Sequence, residues 1–443
     1  MSEAAEKPPE AVPETATRAG EIRLRWSWVE SRVWTERMLT ALEQGVKGGR
    51  WYSLMDKVHP EDNLDAAFTR VFANEGAAGV DHVTVRMFEG RLDEELKELS
   101  DALRTGTYRP QAIRRHYIPK PGTQEQRPLG IPTVRDRTVQ TALRSVLEPI
   151  FERDFAAQSY GFRPGRGCKD ALRRVEELLK AGYTHVVDAD LKSYFDTIPH
   201  DRLLALVGKK VSDGKVLSLI EAFLRQGVLD GLAQWTPEQG TPQGAVISPL
   251  LSNIYLDPLD RLMAETGVEM VRYADDFVLL CRSAEDAARA LETVRQWTAQ
   301  AGLTLHPTKT RIIDATTESF DFLGYRFEDG TRRPRPKSLD KFKETVRAKT
   351  KRTSGGSLFT IIADLNPTLR GWFAYFKHSH KWTFGTLDGW IRMRLRSILR
   401  KRMGLKGRGR GADHQRWRNA FFTDRGLFNL KDAHALARQP SLR

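Results

Sequence analysis

Cysteine is scarce in this chain, and long apolar runs are missing. Cys168 and Cys281 are its two cysteines, too few for a disulfide framework or a four-thiolate zinc site. No stretch approaches the roughly 18 consecutive apolar residues that a membrane span requires, and residues 1–20 lack the apolar core of a signal peptide. These absences argue against a disulfide-stabilised secreted protein and a membrane protein, and they favour the reducing cytoplasm.

The chain is long, and its charge is strongly positive. Its 443 residues amount to roughly three domains of ordinary size. The 40% of hydrophobic residues beside 29% of charged ones indicates folded cores. Lysine and arginine number 71 against 57 aspartate and glutamate residues, a net charge of +14. Such an excess favours a polyanionic partner such as nucleic acid.

The positive charge is concentrated at one end of the chain. Residues 331–443 hold 28 Lys+Arg against 7 Asp+Glu, whereas residues 1–330 hold 43 against 50. An acidic body with a basic appendage is typical of an enzyme core that concentrates carboxylates, joined to a module that binds phosphates. A merely solubilising tail is the alternative, which the many apolar and aromatic residues of this segment disfavour.

The local sequence patterns predict a mixture of helices and strands. Residues 1–20, rich in Ala, Glu and Pro, are expected to form a flexible leader, and helical spacing then continues to about residue 58. A β-hairpin is predicted within residues 108–139 from an extended segment, a Pro-Gly loop and a second extended segment. Short apolar strands at 184–191 and 269–281 alternate irregularly with helices, which predicts an α+β fold.

Carboxylates follow these two strand segments. Asp190 ends the first, and Asp275 with Asp276 forms the tip of a predicted hairpin in the second. Neighbouring carboxylates between buried strands repel one another and lose hydration, and divalent metal ions relieve both costs. Two Mg²⁺ ions held in this way serve nucleotidyl transfer. For the Asp-Asp pair alone, a solvated turn is the alternative, and Asp188 shares a strand face with Asp190, so spacing leaves both as candidates.

Further motifs surround these carboxylates in a definite order. They are NEGAAGVD, RPLGIPTVRDRTVQ, SYGFRPGRGCKDAL, DADLKSYFDTIPH, GTPQGAVISPLLSNIYLDPLD, YADD, GLTLHPTKT and FDFLGYRF. Over roughly residues 60–405 this set resembles the reverse transcriptases encoded by bacterial group II introns. The resemblance implies a right-hand polymerase with fingers and palm, followed by an α-helical thumb and maturase domain.

The same resemblance implies a division of the chain into four parts. They are a flexible leader with a helical extension, fingers with an N-terminal template-contacting motif, a palm with the catalytic carboxylates, and a basic thumb and maturase domain with its tail, at residues 1–58, 59–183, 184–330 and 331–443.

The resemblance also implies a metal site. Asp190, Asp275 and Asp276 would be catalytic and would bind two Mg²⁺ ions, with the Leu191 carbonyl as an extra ligand and Mn²⁺ as an alternative ion. Asp190 is chosen over Asp188 by resemblance alone.

Five residues are implied to bind the incoming nucleotide. Lys120 and Arg127 would contact its triphosphate, Phe195 would lie under the sugar and exclude a 2′-hydroxyl, Gln243 would border the pocket, and Lys309 would lie near the phosphates. Taken singly, Lys120 and Arg127 are more typical of solvated charges, and Phe195 of a core residue.

The basic end of the chain contains two predicted helices. Asn366 and Pro367 are expected to begin the first. The second, at 387–404, is amphipathic, with apolar residues on one side and basic residues elsewhere. A basic amphipathic helix also suits a membrane surface or a partner groove, but the resemblance favours intron RNA. The implied RNA-binding residues are Arg392, Arg394, Arg396, Arg400, Lys401 and Arg402.

The sequence therefore predicts a bacterial, cytoplasmic RNA-directed DNA polymerase that is also a group II intron maturase. Its expected partners are an RNA template, with group II intron RNA foremost, a DNA primer or target, and dNTPs. An RNA-binding splicing cofactor with incidental polymerase activity is one alternative, and a domesticated enzyme of antiviral defence or CRISPR spacer acquisition is another. Many relatives end in a DNA-cutting domain with paired cysteines, whereas both cysteines here lie within the polymerase motifs, so no intrinsic endonuclease is expected.

Overall fold

The computed structural model describes most of the chain and divides it into two compact units. The described residues are 21–119, 126–328 and 330–439. The first unit comprises the residues up to 175 with 187–281 and 285–311, and the second comprises 176–186, 282–284 and 312–443. The predicted leader, residues 1–20, lies outside the described residues. The predicted palm, 184–330, contributes residues to both units.

Helices form about half of the described residues up to residue 300. In chain order they are α1 (Glu36–Gln44), α2 (Met55–Val58), α3 (Glu61–Ala73), α4 (Val85–Glu89), α5 (Leu92–Thr105), α6 (Val134–Glu152), α7 (Cys168–Lys180), α8 (Tyr194–Thr197), α9 (His200–Gly208), α10 (Gly214–Leu224), α11 (Ser248–Glu265) and α12 (Ala284–Gln300), with a short 3₁₀ helix at Lys47–Gly49. Helices α6 and α11 bury residues on most sides, so they form the centre of the first unit.

A four-stranded sheet carries the two strand segments predicted around the carboxylates. Its order is β6-β7-β3-β8, with β3 (His185–Asp190), β6 (Glu269–Tyr273), β7 (Asp276–Cys281) and β8 (Arg311–Asp314). β6 and β7 form an antiparallel hairpin in which Tyr273 pairs with Asp276. β7 is buried at every position after Asp276, which requires cover on both faces and explains its unbroken apolar run.

The hairpin predicted within residues 108–139 is present and belongs to a second sheet. β1 (Ile113–Pro119) pairs antiparallel with β2 (Gln126–Ile131). β1 also pairs in parallel with β4 (Val228–Asp230), which pairs with β5 (Ala233–Trp235). The sequence did not predict β4 and β5, because three-residue strands are too short to show a period of two.

The second unit begins with a small antiparallel sheet and continues as helices. Its strands lie in the order β11-β10-β9, with β9 (Phe320–Phe322), β10 (Tyr325–Glu328) and β11 (Thr331–Pro334). The helices are α13 (Pro336–Lys349), α14 (Leu358–Phe376), α15 (Trp382–Arg402), α16 (Ala412–Arg416), α17 (Asn419–Thr423) and α18 (Leu430–Ala437). They enclose an apolar core of their own, including Val346, Leu365, Leu369, Phe384 and Leu395.

The predicted start of the first basic-end helix is wrong. Helix α14 begins nine residues earlier, where the Ser357 hydroxyl accepts a hydrogen bond from the Thr360 N–H at 3.1 Å. Pro367 lies inside the helix, and the Asn366 side chain instead accepts from the Phe428 N–H at 2.9 Å. The structure confirms the α+β class, and within the described ranges every helix is too short or too polar to span a bilayer.

Asp136 gives the first unit a pH-dependent stability. Its buried carboxylate accepts hydrogen bonds from the Tyr108 hydroxyl at 2.5 Å, the Gln226 amide at 2.9 Å and the Gln111 N–H at 3.1 Å. Burial, partly offset by the bonds from Tyr108 and Gln111, raises the pKa of Asp136 from 3.8 to about 6. Because the folded state then holds this proton more tightly than the unfolded state, the contribution of Asp136 to stability is greatest at acid pH and declines as the pH rises through about 6.

We therefore expect the wild type to lose about 2 kcal/mol of unfolding free energy relative to Asp136→Asn between about pH 4 and pH 7. The variant cannot titrate at this position, so it serves as the reference. Denaturant unfolding of both proteins across this range measures the difference. Parallel stability curves would show that the folded carboxyl has an ordinary pKa.

Candidate active site

The aspartate turn, residues 273–276, joins β6 to β7. Ala274 adopts a left-handed conformation with φ of 60°, which costs a non-glycine residue about 1 kcal/mol. Asp275 occupies the turn, and Asp276 is the first residue of β7. The hairpin predicted from YADD is thus present, and it holds one carboxylate in the turn and the next on an exposed strand position.

The structure brings together four of the predicted site residues. Burial raises the pKa of Asp275, the Asp190 carboxylate raises it further, and the guanidinium of Arg127 lowers it. The Lys309 ammonium donates to Asp190 Oδ2 at 2.6 Å. The charges of Asp190 and Arg127 therefore act on Asp275, and Lys309 pairs with Asp190.

The segment before Lys309 fixes the backbone at Asp190. The His306 N–H donates to the Asp190 carbonyl at 2.7 Å, and the Lys192 N–H donates to the Thr304 carbonyl at 2.8 Å. Leu191, the predicted backbone ligand, lies between these two bonds and is buried. These two hydrogen bonds place the Asp190 carboxylate and the Lys309 ammonium in the same site.

Asp188 has a different environment from Asp190. Its carboxylate lies 3.8 Å from the Arg311 guanidinium, and Asp190 is the residue of β3 that raises the pKa of Asp275. The effect of the Asp190 charge on Asp275 favours Asp190 as the partner of the aspartate turn.

The donor chemistry of this site suits a divalent cation. Carboxylate oxygens are the ligands that Mg²⁺ prefers, and a cation would relieve the repulsion between Asp190 and Asp275. Across the described ranges, no three His, Cys, Asp or Glu side chains are already gathered at a common point. The Asp190 and Asp275 carboxylates are therefore suitable ligands for a metal ion. Lys309 neutralises Asp190 in this structure.

A pocket in the first unit contains two more predicted residues. Phe195 and Gln243 both line it, together with Asp196, Arg115 and Trp235. The Gln243 amide donates to the Asp196 carboxylate at 3.3 Å, and burial raises the pKa of Asp196. The pocket thus combines an aromatic wall with an oriented amide.

The turn that carries Gln243 is tied to the β1–β2 hairpin. The Gly130 N–H donates to the Gln243 carbonyl at 2.6 Å. At Gly244, with φ of 106°, a Cβ would lie 2.5 Å from the Gly130 carbonyl oxygen, so this approach requires glycine. Arg127 lies on the same strand as Gly130, whereas Lys120 lies outside the described residues.

The six basic residues predicted to bind RNA differ in how free they are. Arg392 is half-buried, Lys401 is exposed, and Arg402 is exposed but donates to the Gly356 carbonyl. Arg394 donates to the Thr350 hydroxyl at 2.6 Å, and Arg400 donates to the Asp413 carboxylate at 2.7 Å. These two guanidiniums link α15 to neighbouring segments of the second unit.

Arg396 has to be removed from the predicted RNA-binding set. Its guanidinium is buried and donates to the Trp417 carbonyl and the Asn419 amide oxygen, both at 2.9 Å. Because Arg396 lies outside the apolar side of α15, the amphipathic pattern predicted an exposed side chain. Residues 417–422 cover it instead.

Two residues beneath the aspartate turn were missed from the sequence. Gly161 approaches it so closely that a Cβ there would lie 2.2 Å from the Ala274 nitrogen. Arg272 lies within β6 and is fully buried. A charged residue in the middle of an apolar strand requires a buried partner, and this signal could have identified Arg272.

Comparison with known families identifies the class of this protein. Residues 118–327 match the family "Reverse transcriptase (RNA-dependent DNA polymerase)". Residues 339–417 match "Group II intron, maturase-specific domain". The chain therefore belongs to the reverse transcriptases that carry a group II intron maturase domain, which confirms the family, fold and functional class predicted from its motifs. Reverse transcriptases in general use divalent metal ions.

Individual relatives agree with this assignment. The chain is 36% identical over 287 residues to protein YkfC of Escherichia coli, covering 56% of this chain and 75% of the relative. It is 38% identical over 231 residues to the group II intron-encoded protein LtrA of Lactococcus lactis, covering 48% of this chain and 38% of the relative. A putative COX1/OXI3 intron 1 protein of Saccharomyces cerevisiae is 26% identical, with 79% of this chain and 48% of the relative covered. The chain thus spans less than half the length of the latter two.

Proposed function

We propose that this protein copies RNA into DNA, extending a DNA primer on an RNA template with dNTPs. The observation that carries this proposal is the approach of the Asp190 and Asp275 carboxylates, with Arg127 and Lys309 beside them, inside the reverse transcriptase domain. Paired carboxylates suit metal ions, and the two cations suit a triphosphate.

Asp190, Asp275 and Asp276, with the Leu191 carbonyl, would hold two Mg²⁺ ions, for which Mn²⁺ could substitute. When bound, the ions would supply activation of the primer 3′-hydroxyl and stabilisation of the leaving pyrophosphate. The guanidinium of Arg127 offers a planar fork to phosphate oxygens. Lys309 neutralises Asp190 in this structure and carries a flexible point charge suited to the same phosphates.

The pocket lined by Phe195 and Gln243 would receive the sugar of the incoming nucleotide. The Phe195 ring forms an apolar wall with no hydrogen-bonding group for a 2′-hydroxyl. Because the Gln243 NH₂ is directed to Asp196, its carbonyl oxygen remains as an acceptor on the other side of the amide. These residues would discriminate deoxynucleotides from ribonucleotides.

Phe195→Val should therefore relax sugar selection. We expect the ratio of kcat/KM for dCTP to that for CTP to fall by about 10- to 100-fold, because a smaller side chain admits the 2′-hydroxyl. Single-nucleotide primer extension measures both substrates, and Phe195→Tyr is the control that keeps the ring. An unchanged ratio in Phe195→Val would remove Phe195 from sugar selection.

The second unit would bind group II intron RNA and assist its splicing. This proposal is supported by the maturase-specific domain at 339–417 and by the 28 basic against 7 acidic residues of 331–443. The relative LtrA is itself a group II intron-encoded protein. Arg392, Lys401 and Arg402 are the predicted RNA contacts that the fold leaves accessible at least in part.

A primer-extension assay tests the polymerase. Purified protein with Mg²⁺ and dNTPs is expected to extend a DNA primer annealed to an RNA template, and chelation of the metal is expected to stop it. Failure to extend on RNA, under conditions where the protein binds the primer–template, would refute the polymerase. Splicing of a group II intron transcript from the same genome, with and without the protein, tests the maturase role separately.

A further inference from the structure

A fully buried ion pair lies beneath the aspartate turn. The Arg272 guanidinium donates from Nε to Asp260 Oδ1 at 2.7 Å and from Nη2 to Asp260 Oδ2 at 2.6 Å. Neither side chain is exposed. Asp260 belongs to α11 and Arg272 to β6, so this two-bond contact joins the central helix to the strand that leads into the turn.

The remaining guanidinium protons reach the turn and its supports. Nη1 donates to the Ala274 carbonyl at 2.8 Å and to the Asn253 amide oxygen at 3.0 Å. Nη2 also donates to the Ser159 hydroxyl at 2.8 Å. All five N–H donors of Arg272 are therefore used, and one of them ends on the aspartate turn itself.

The bond to Ala274 acts where the backbone is strained. Ala274 is left-handed, and its carbonyl belongs to the peptide that leads into Asp275. Holding this carbonyl therefore fixes the orientation of the peptide plane before Asp275. The adjoining backbone is fixed as well, because the Tyr160 N–H donates to the Arg272 carbonyl at 2.8 Å and the Arg272 N–H to the Gln158 carbonyl at 2.9 Å.

Stability alone gives a weak reason for such a pair. Removing two charges from water costs several kcal/mol, and apolar replacements of buried ion pairs are often neutral or stabilising. The pair instead fixes the position of the aspartate turn, because an aliphatic side chain cannot donate a hydrogen bond to the Ala274 carbonyl.

We propose that Arg272 and Asp260 are positioning residues that hold Asp275 in the geometry required for polymerisation. The inference rests on the proposed polymerase function. It predicts that removing the pair causes a large loss of rate in protein that is still folded.

The test is the double variant Arg272→Met/Asp260→Leu, which removes both charges together. Its denaturant midpoint is expected to fall, because the buried Ala274 carbonyl, Asn253 amide oxygen and Ser159 hydroxyl lose their donor. The protein should still be folded without denaturant, where kcat for primer extension falls about 100-fold, the usual effect of a displacement of about 1 Å. The Mg²⁺ concentration for half-maximal rate should rise about tenfold. The Kd for primer–template, measured in EDTA, should stay unchanged, since nucleic-acid contacts are not altered.

Two further variants complete the experiment. Arg272→Lys keeps the charge beside Asp260 but loses the fork, so its kcat should fall about tenfold even if the double variant fails to fold. Glu269→Gln is the matched control, because it removes the charge of the half-exposed acceptor that Arg174 contacts at the other end of β6 and should leave kcat unchanged.

The outcomes separate the two proposals. A wild-type protein that binds primer–template but does not extend it overturns the polymerase function and this inference with it. An active wild type whose folded Arg272 variants retain full kcat and the same Mg²⁺ requirement overturns the positioning role alone.

Discussion

Asp275→Asn is expected to reduce primer extension about 1,000-fold, the equivalent of about 4 kcal/mol of transition-state stabilisation. The neutral amide keeps the size of the side chain but removes the charge that a divalent cation would need at the turn. The repulsion from Asp190 that raises the pKa of Asp275 also disappears, so the variant should fold at least as well as the wild type. The rate of dNTP incorporation and the denaturant midpoint measure the two effects.

The control for this prediction is Asp188→Asn. Asp188 lies on the same strand but faces the Arg311 guanidinium at 3.8 Å, so we expect less than a tenfold change in rate. Asp190→Asn, by contrast, should resemble Asp275→Asn. A wild-type rate for Asp190→Asn with an inactive Asp188→Asn would exchange their roles.

The same Asp275 variant separates the two proposed activities. The maturase domain has its own apolar core, and its basic residues are untouched by the substitution. We expect Asp275→Asn to retain splicing activity on group II intron RNA while DNA synthesis is lost.

Gly161→Ala is expected to lower kcat about 100-fold. A Cβ at this position would lie 2.2 Å from the Ala274 nitrogen and 2.8 Å from the Tyr273 carbonyl carbon. Both are backbone atoms, so the turn itself must move, and a shift of about 1 Å in a reacting geometry typically costs about 100-fold in rate. Overpacking should also lower the unfolding free energy by about 1–3 kcal/mol.

Gly167→Ala is the matched control in the same segment. The nearest atom to a Cβ at Gly167, apart from its chain neighbours, is an Asp170 carboxylate oxygen at 4.0 Å, which is an ordinary contact. Its kcat and unfolding free energy should equal those of the wild type. If Gly161→Ala also kept the wild-type kcat, the close approach to Ala274 would have no part in the reaction.

Local sequence patterns were sufficient to predict the strands and the turn that carry the candidate carboxylates. The apolar run at 184–191 and the paired runs at 269–281 are strands, and YADD forms the turn between the latter two. These segments are buried on both sides, so their composition alone identifies them.

Other features depended on distant parts of the chain. Asn366 and Pro367 resemble a helix start, yet Ser357 begins α14, because a proline is tolerated inside a helix that tertiary packing supports. Arg396 has the spacing of an exposed residue, yet the segment around Trp417 covers it. In both cases packing overrides a local preference worth only a few kcal/mol at most.

The local sequence identified the family, the strands that carry the candidate carboxylates, and the separation of an acidic body from a basic end. It did so because motifs, short buried strands and charge are local properties of the chain. The tertiary structure brings the Asp190 carboxylate close enough to Asp275 to raise its pKa, in addition to the effect of burial, places Asp188 3.8 Å from the Arg311 guanidinium, and directs Arg272 to the aspartate turn. Strand alternation places Asp188 and Asp190 on one face, and only the packing of neighbouring strands, helices and loops around that face gives them different neighbours.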